Sequence, residues 1–195
     1  MTGAVRVLIL AAGASRRLGR DKALLRLASG ETLLERAIEA ARGAGLRAAV
    51  TVASAESAAA QEAQRLDVPV IVVPEASEGM AASLRAGVAA LAVDPEVAGI
   101  LVLLVDQWRV GSNDLAQLID AWEAAGRQVA AARYGGMNGV PALFGRPWFD
   151  MLENLSGDRG ARDFLRSGDA AITAIDMPTA AVDLDTPEAA SSMMD

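Results

Sequence analysis

The sequence predicts a single α/β domain built on one doubly wound, mostly parallel sheet. Three observations carry that prediction. Short apolar runs alternate with Ala-rich stretches of helical period, the pattern of successive βα units. One run, Ile100–Val105, is apolar at every position and suits a strand buried on both faces near the sheet centre. A chain of 195 residues is long enough for one such domain with its own core and too short for two large ones.

The elements follow in order. Val5–Leu10 predicts a buried strand. Thr32-Leu33-Leu34-Glu35 is a capping box that opens a helix, with Leu33, Leu34, Ala37, Ile38 and Ala41 on one face and a stop at Gly43 or Gly45. Ala48–Ala53 is a strand, Glu56–Leu66 a helix, and Val68–Val73 a strand ended by Pro74. Met80–Val93 is a helix facing inward with Met80, Leu84, Val88 and Leu91. After Ile100–Val105, Ser112 caps a helix to about Ala125, and Val129–Tyr134 is a strand. Ala142–Phe144 reads as a short strand, and Pro147–Leu155 and Ala161–Ser167 as helices. Ala171–Ile175 and Ala181–Leu184 read as short strands, and Thr186-Pro187-Glu188 opens a last helix. The Gly111–Ser167 stretch, with Gly135-Gly136 and Gly157–Gly160, predicts loops that form a lid or the second half of a cleft. The single domain, 1–195, thus divides into a regular half, 1–110, and a less regular half, 111–195. A site is expected at the carboxyl ends of the strands.

Composition narrows the chemistry. There is no Cys and no His, which excludes disulfide scaffolds, thiolate zinc sites, Ser-His-Asp triads and Cys nucleophiles. Of 18 basic residues, 17 are Arg; the one lysine is Lys22. The net charge is −7, yet the window Arg16–Arg26 carries +4, leaving −11 on the rest. One cationic loop in an acidic chain suits a small anionic ligand, not a nucleic-acid track. No run is long enough to span a membrane. The apolar run after Arg6 leads into an Arg cluster instead of a small-residue cleavage site, so a cytoplasmic protein is expected.

The first strand runs into Leu10-Ala11-Ala12-Gly13-Ala14-Ser15-Arg16-Arg17-Leu18-Gly19-Arg20-Asp21-Lys22. Gly13-Ala14-Ser15 fails the dinucleotide fingerprint, and five residues between Gly13 and Gly19 fail the Walker spacing. What remains is a small-residue turn after a strand, where backbone N–H groups approach phosphate and cations stand close behind. The Arg17 fork would grip phosphate oxygens and Lys22 would act as a compact charge.

This segment resembles the Leu-Ala-Ala-Gly-x-Ser-x-Arg-Met-Gly-x-x-Lys signature of the molybdenum-cofactor nucleotidyltransferase family, with Leu18 in place of Met. Further segments match in order: Glu78–Gly87, Leu104-Val105-Asp106-Gln107, Gly139–Phe144, Gly157–Arg162 and Asp183–Glu188. The resemblance covers nearly the whole chain. It implies a nucleotide-diphosphosugar transferase-like fold and transfer of a nucleoside monophosphate to a phosphorylated acceptor. Ala12 before Gly13 is similar to the cytidine branch, where the guanosine branch has Gly. CTP as donor, molybdopterin as acceptor and a client molybdoenzyme are therefore expected.

Residue by residue, the resemblance makes Arg17, Lys22 and Asp106 catalytic. It assigns Leu10, Ala11, Ala12, Gly13, Ser15, Arg17, Lys22, Gly79, Ser83 and Arg85 to the nucleotide. Gly139, Asp158 and Arg162 fall to the acceptor. Asp106 and Asp183 would share Mg²⁺, with Asp185 as the replacement for Asp183. Two carboxylates plus phosphate oxygens suit that ion, which needs neither His nor Cys. A phosphate monoester with a second pKa near ~6 is already a nucleophile at neutral pH and needs no general base. Trp108 departs from the usual Pro after Asp-Gln. Two rivals remain: a nucleotidyltransferase for another phosphorylated molecule, such as a sugar phosphate, and a non-catalytic cofactor carrier or chaperone of the same fold.

Overall fold

The computed structural model describes residues 3–13 and 21–181. Within them the strands are β1 (Ala4–Leu10), β2 (Arg47–Val52), β3 (Val70–Val72), β4 (Val97–Leu104), β5 (Val129–Tyr134), β6 (Met137–Gly145) and β7 (Ile172–Asp176). The α-helices are α1 (Leu33–Gly43), α2 (Ala58–Arg65), α3 (Met80–Ala92), α4 (Ser112–Ala124), α5 (Phe149–Glu153) and α6 (Arg162–Leu165). All seven strands form one sheet in the order β3-β2-β1-β4-β6-β5-β7. Pairing is parallel except where β6 meets β4 and β5. The apolar strand β4 stands at the centre, as its composition requires.

Period-two alternation along β1 and β4 divides the core. Val7, Ile9, Leu101 and Leu103 pack with Leu34 and Ile38 of α1, Ala60 of α2 and Trp122 of α4. Leu8, Leu10, Ile100 and Val102 pack with Leu84 and Val88 of α3, Phe149 of α5 and Leu165 of α6. The result is a three-layer sandwich. Helix α1 starts where the sequence places it: the Thr32 hydroxyl accepts from Glu35 N (3.0 Å) and Thr32 N donates to the Glu35 carboxylate (2.7 Å). That Thr32 N–H, with the Arg65 guanidinium beside it, holds the Glu35 carboxyl below its usual range against the opposing effect of burial.

The second half differs from expectation. Ala142–Phe144 is not a short strand but part of the nine-residue β6, which folds back on β5. The turn is Gly135-Gly136, both at positive φ (56° and 76°), between the paired Tyr134 and Met137. Two left-handed residues make the tight turn whose twist matches a hairpin. Val129–Tyr134 is the strand that the sequence predicts; the difference lies in the length of β6 and in the Gly135-Gly136 turn that joins the two. Ser112 is the first residue of α4 and not its cap; Gly111 precedes it, and its N–H donates to the Asp114 carboxylate (2.8 Å). Helices α5 and α6 are shorter than the runs read from sequence. Ala181 closes a 3₁₀ turn, Pro178–Ala181, where a strand was expected; the remainder of that strand and the last helix lie outside the described residues.

Two measurements test this packing. Gly87 lets α3 press on β1: an added Cβ would lie 2.4 Å from a Leu8 methyl, and Leu8 is fully buried. Gly87→Ala should lower the unfolding free energy by about 1–3 kcal/mol in urea titrations, as overpacking does. Adding Leu8→Val should recover part of that loss, because the two changes share one space. For the capping box, a lowered carboxyl pKa gives stability that is present above the unfolded value of 4.5 and lost as pH falls through the folded one. Glu35→Gln should therefore flatten the acid limb of the stability-versus-pH curve.

Candidate active site

Strands β1 and β4 are parallel neighbours that finish level, Leu10 opposite Leu104. From β1 the sheet grows outward through β2 and β3; the chain then returns through α3 to place β4 on the other side of β1. Two loops therefore leave the carboxyl edge side by side, on the way to α1 and α4, which pack on the same face of the sheet; open α/β sheets bind ligands in the crevice outside such an edge. Ala11–Gly13 and Val105–Asp106 start at this edge, held by Ala11 N to Thr51 O (3.1 Å) and Val105 N to Leu10 O (3.4 Å).

Lys22 reaches the crevice from a 3₁₀ turn, Lys22–Leu24. The Asp21 carboxylate caps that turn by accepting from Ala23 N (3.1 Å), and Ala23 is buried against the core. The Lys22 ammonium donates to Asp106 Oδ2 at 2.6 Å. The two side chains are only 15% and 14% exposed, so this is a sheltered pair. Asp106 Oδ1 is buried and accepts no hydrogen bond. One carboxylate thus has one oxygen on a lysine and one open.

That open oxygen decides whether a divalent cation fits. Mg²⁺ and Mn²⁺ take hard oxygen ligands, and Mg²⁺ commonly uses one or two carboxylates plus substrate phosphates and water. Among the described residues no group of three or more Asp or Glu could cage an ion unaided. Asp106 suits the open type of site, in which phosphate oxygens complete the shell. Asp183 and Asp185 lie outside the described residues, as do Ser15 and Arg17.

Ala12 is nearly buried and clusters with Val73 at the end of β3 and Ala82 of α3, while Gly13 is exposed. Gly79 leads into α3 at φ 116°; a Cβ there would lie 2.7 Å from Asp158 Cα, so the position requires glycine. Ala81 N donates to Gly157 O (3.2 Å). The structure therefore joins Gly79, a nucleotide-side residue by expectation, to Asp158, an acceptor-side one. Arg85 donates to Leu155 O (2.9 Å) and pairs with Glu78 (3.3 Å), which ties the same two segments. Ser83 is buried, Arg162 is exposed at the start of α6, and Gly139 lies on β6 beneath the Tyr134 ring.

Sequence reasoning assigned no role to Gln107. It is buried, and its amide joins the end of β4 to β6 and to the Pro178–Ala181 turn. No local pattern marks it, since its partners Val140 and Ala180 lie 33 and 73 positions away. Trp108, the departure from Pro, packs half-buried against the core; its carbonyl accepts from Arg36 Nε (3.1 Å), and Arg109 stands 4.8 Å over its ring.

The sheet and its helices have the nucleotide-diphosphosugar transferase fold. The model of the MobA-like NTP transferase domain matches residues 7–182, and the chain belongs to that molybdenum cofactor-related family. It is 33% identical over 167 residues to the nicotine blue oxidoreductase of Paenarthrobacter nicotinovorans, covering 81% of this chain and 79% of that one. The crystal structure of Rv0371c from Mycobacterium tuberculosis H37Rv is similar at TM-score 0.80 and 31% identity, covering 100% of this chain and 99% of that one. A manganese complex of Rv0371c matches at TM-score 0.74 and 29% identity, covering 98% of each chain. Among the described residues no helix is long and apolar enough to cross a membrane.

Because the pair is sheltered, removing one partner strands the other. Lys22→Ala should cost about 1–3 kcal/mol of stability by urea titration, the range for a lost hydrogen bond to a charged group. Asp106→Asn added to it should recover part of that cost. A change under about 0.5 kcal/mol for Lys22→Ala would show an exposed loop after all.

Proposed function

We propose that this protein is a cytoplasmic, Mg²⁺-dependent cytidylyltransferase that moves CMP from CTP to a phosphorylated acceptor of the molybdopterin type. The observation that carries the reading is the Lys22–Asp106 pair at the carboxyl edge, with one Asp106 oxygen left open. Residues 1–110 would bind nucleotide and 111–195 acceptor, with a client molybdoenzyme receiving the product.

Leu10, Ala11, Ala12, Gly13 and Ser15 line the nucleotide side, where backbone N–H groups meet phosphate. Arg17 and Lys22 offset the charge of two anionic reactants, so that they can approach. Lys22 exchanges its carboxylate partner for a phosphate oxygen as the triphosphate enters. Asp106 and Asp183 would hold Mg²⁺, which when bound offsets charge on the phosphates. Gly79 and Ser83 meet the ribose and base, and Arg85 supports them from its bond to Leu155. Gly139, Asp158 and Arg162 orient the acceptor. Its phosphate oxygen attacks the α-phosphorus in line; the bond to the bridging α–β oxygen breaks and its electron pair leaves with pyrophosphate. No proton need be removed from a dianionic phosphate, which agrees with a chain that has no His.

The name of the Paenarthrobacter relative favours one second reading, an oxidoreductase. Pyrophosphate release separates the two. With four nucleoside triphosphates, with and without molybdopterin or a sugar phosphate, release should require divalent metal and be fastest with CTP and molybdopterin. Oxidation of NADH or NADPH without pyrophosphate release would favour the redox reading, and binding without either would leave a carrier.

Base choice has its own test. The Ala12 methyl is held by Val73 and Ala82 and cannot withdraw from a larger base. Ala12→Gly should narrow the preference for CTP over GTP by roughly 1–3 kcal/mol in kcat/KM. Asp106→Asn and Asp183→Asn should each lower the rate severely, and together by much less than the product, since both break one metal site. Independent, multiplying losses would defeat the shared ion and direct attention to Asp185.

A further inference from the structure

Gln107 is 5% exposed and uses its whole amide. Nε2 donates to Val140 O (2.6 Å) and Ala180 O (3.3 Å), and Oε1 accepts from Leu104 N (3.4 Å). Two carbonyls on one atom and an N–H on the other determine the amide orientation. The bonds reach three separate segments: the end of β4, the strand β6 beside Gly139, and the 3₁₀ turn whose Ala180 stands three residues before Asp183 in sequence. Its main chain closes the turn that carries Asp106, through Gln107 N to Leu104 O (3.2 Å) and Val110 N to Gln107 O (3.0 Å).

The surroundings distinguish this from a plain structural plug. Among the described residues, the buried side-chain polar atoms without a partner are Asp106 Oδ1, Trp108 Nε1 and Thr179 Oγ1. Two belong to the residues on either side of Gln107 and the third to the residue before its partner Ala180. Buried polar groups left unpaired call for an explanation, and all three lie next in sequence to Gln107 or to its partner Ala180. The centre is fully bonded while its edges are left open.

We infer that Gln107 is a positioning residue that sets the Asp106 carboxylate for a divalent cation, acting through Asp106 and touching no substrate itself. The inference rests on the metal role proposed for Asp106. Residues that orient a metal ligand typically change metal affinity 10–100-fold when replaced. Gln107→Met keeps the length of the side chain and deletes the amide. Trp122→Phe is the control: it removes a buried bond to Gln128 O (3.1 Å) far from Asp106 in the bonding network.

Mn²⁺ binding, read from the free-ion resonance in titrations with CTP present, reports the site without turnover. For Gln107→Met the Mn²⁺ dissociation constant should rise at least about tenfold. Its KM for CTP should stay within about twofold while kcat falls, the pattern of lost alignment and not of lost binding. Trp122→Phe should lower the melting temperature and leave Mn²⁺ binding unchanged. Wild-type Mn²⁺ binding in Gln107→Met, or equal weakening in both variants at equal melting temperature, overturns the inference. Asp106→Asn is titrated beside them. If it loses Mn²⁺ and Gln107→Met does not, only the positioning role fails. If Asp106→Asn keeps Mn²⁺, the metal reading fails and takes the inference with it.

Discussion

The parallel pairing of β1 with β4 is the constraint from which the site follows. Leu10 opposite Leu104 makes two loops begin level and adjacent. Had β4 been added beside β3, the Gly13 loop and Asp106 would be separated by the width of three strands, about 15 Å at the usual spacing. The register rests on apolar burial. Shifting β1 by one residue would exchange Val7 and Ile9 with Leu8 and Leu10 between two differently shaped cores. Gly87 fits α3 to the face that carries Leu8, so the helix that returns the chain across the sheet is seated on the strand that opens the site.

Charge works on this frame with few parts. Outside the Arg16–Arg26 window the chain carries −11, which repels anionic reactants at long range. Attraction has to be local, and Lys22 stands at a place sheltered from solvent. Before substrate arrives, the same shelter would make a lone ammonium or carboxylate costly. Pairing Lys22 with Asp106 at 2.6 Å offsets that cost.

Local pattern was legible in the sequence, and long-range pairing was not. The all-apolar run of β4, the Thr32–Glu35 box and the Met80 helix appear because burial and capping act within a few residues. Strand β6 was read only at Ala142–Phe144, because Asn138, Gly139 and Pro141 weaken the strand signal of its other residues. Its partner β5 provides the missing stability, and Gly135-Gly136, read as loop, is the hairpin turn that joins them. Lys22 looked exposed because its neighbours in sequence are charged; the Asp106 carboxylate that shelters it is 84 positions away. Gln107 could be seen only once β6 and the Pro178–Ala181 turn were in place around it.

The joint between the two halves lies at Gly79. Cα-only geometry there lets the Gly157–Asp158 loop rest on the start of α3, and Ala81 N is already bonded to Gly157 O. That bond takes one of the free N–H groups that a helix start would otherwise offer to a ligand. A transfer between two anions requires the acceptor segment to be fixed relative to the nucleotide before charge is neutralised. A glycine contact, a backbone hydrogen bond and the Arg85–Leu155 tether achieve that with no added charge.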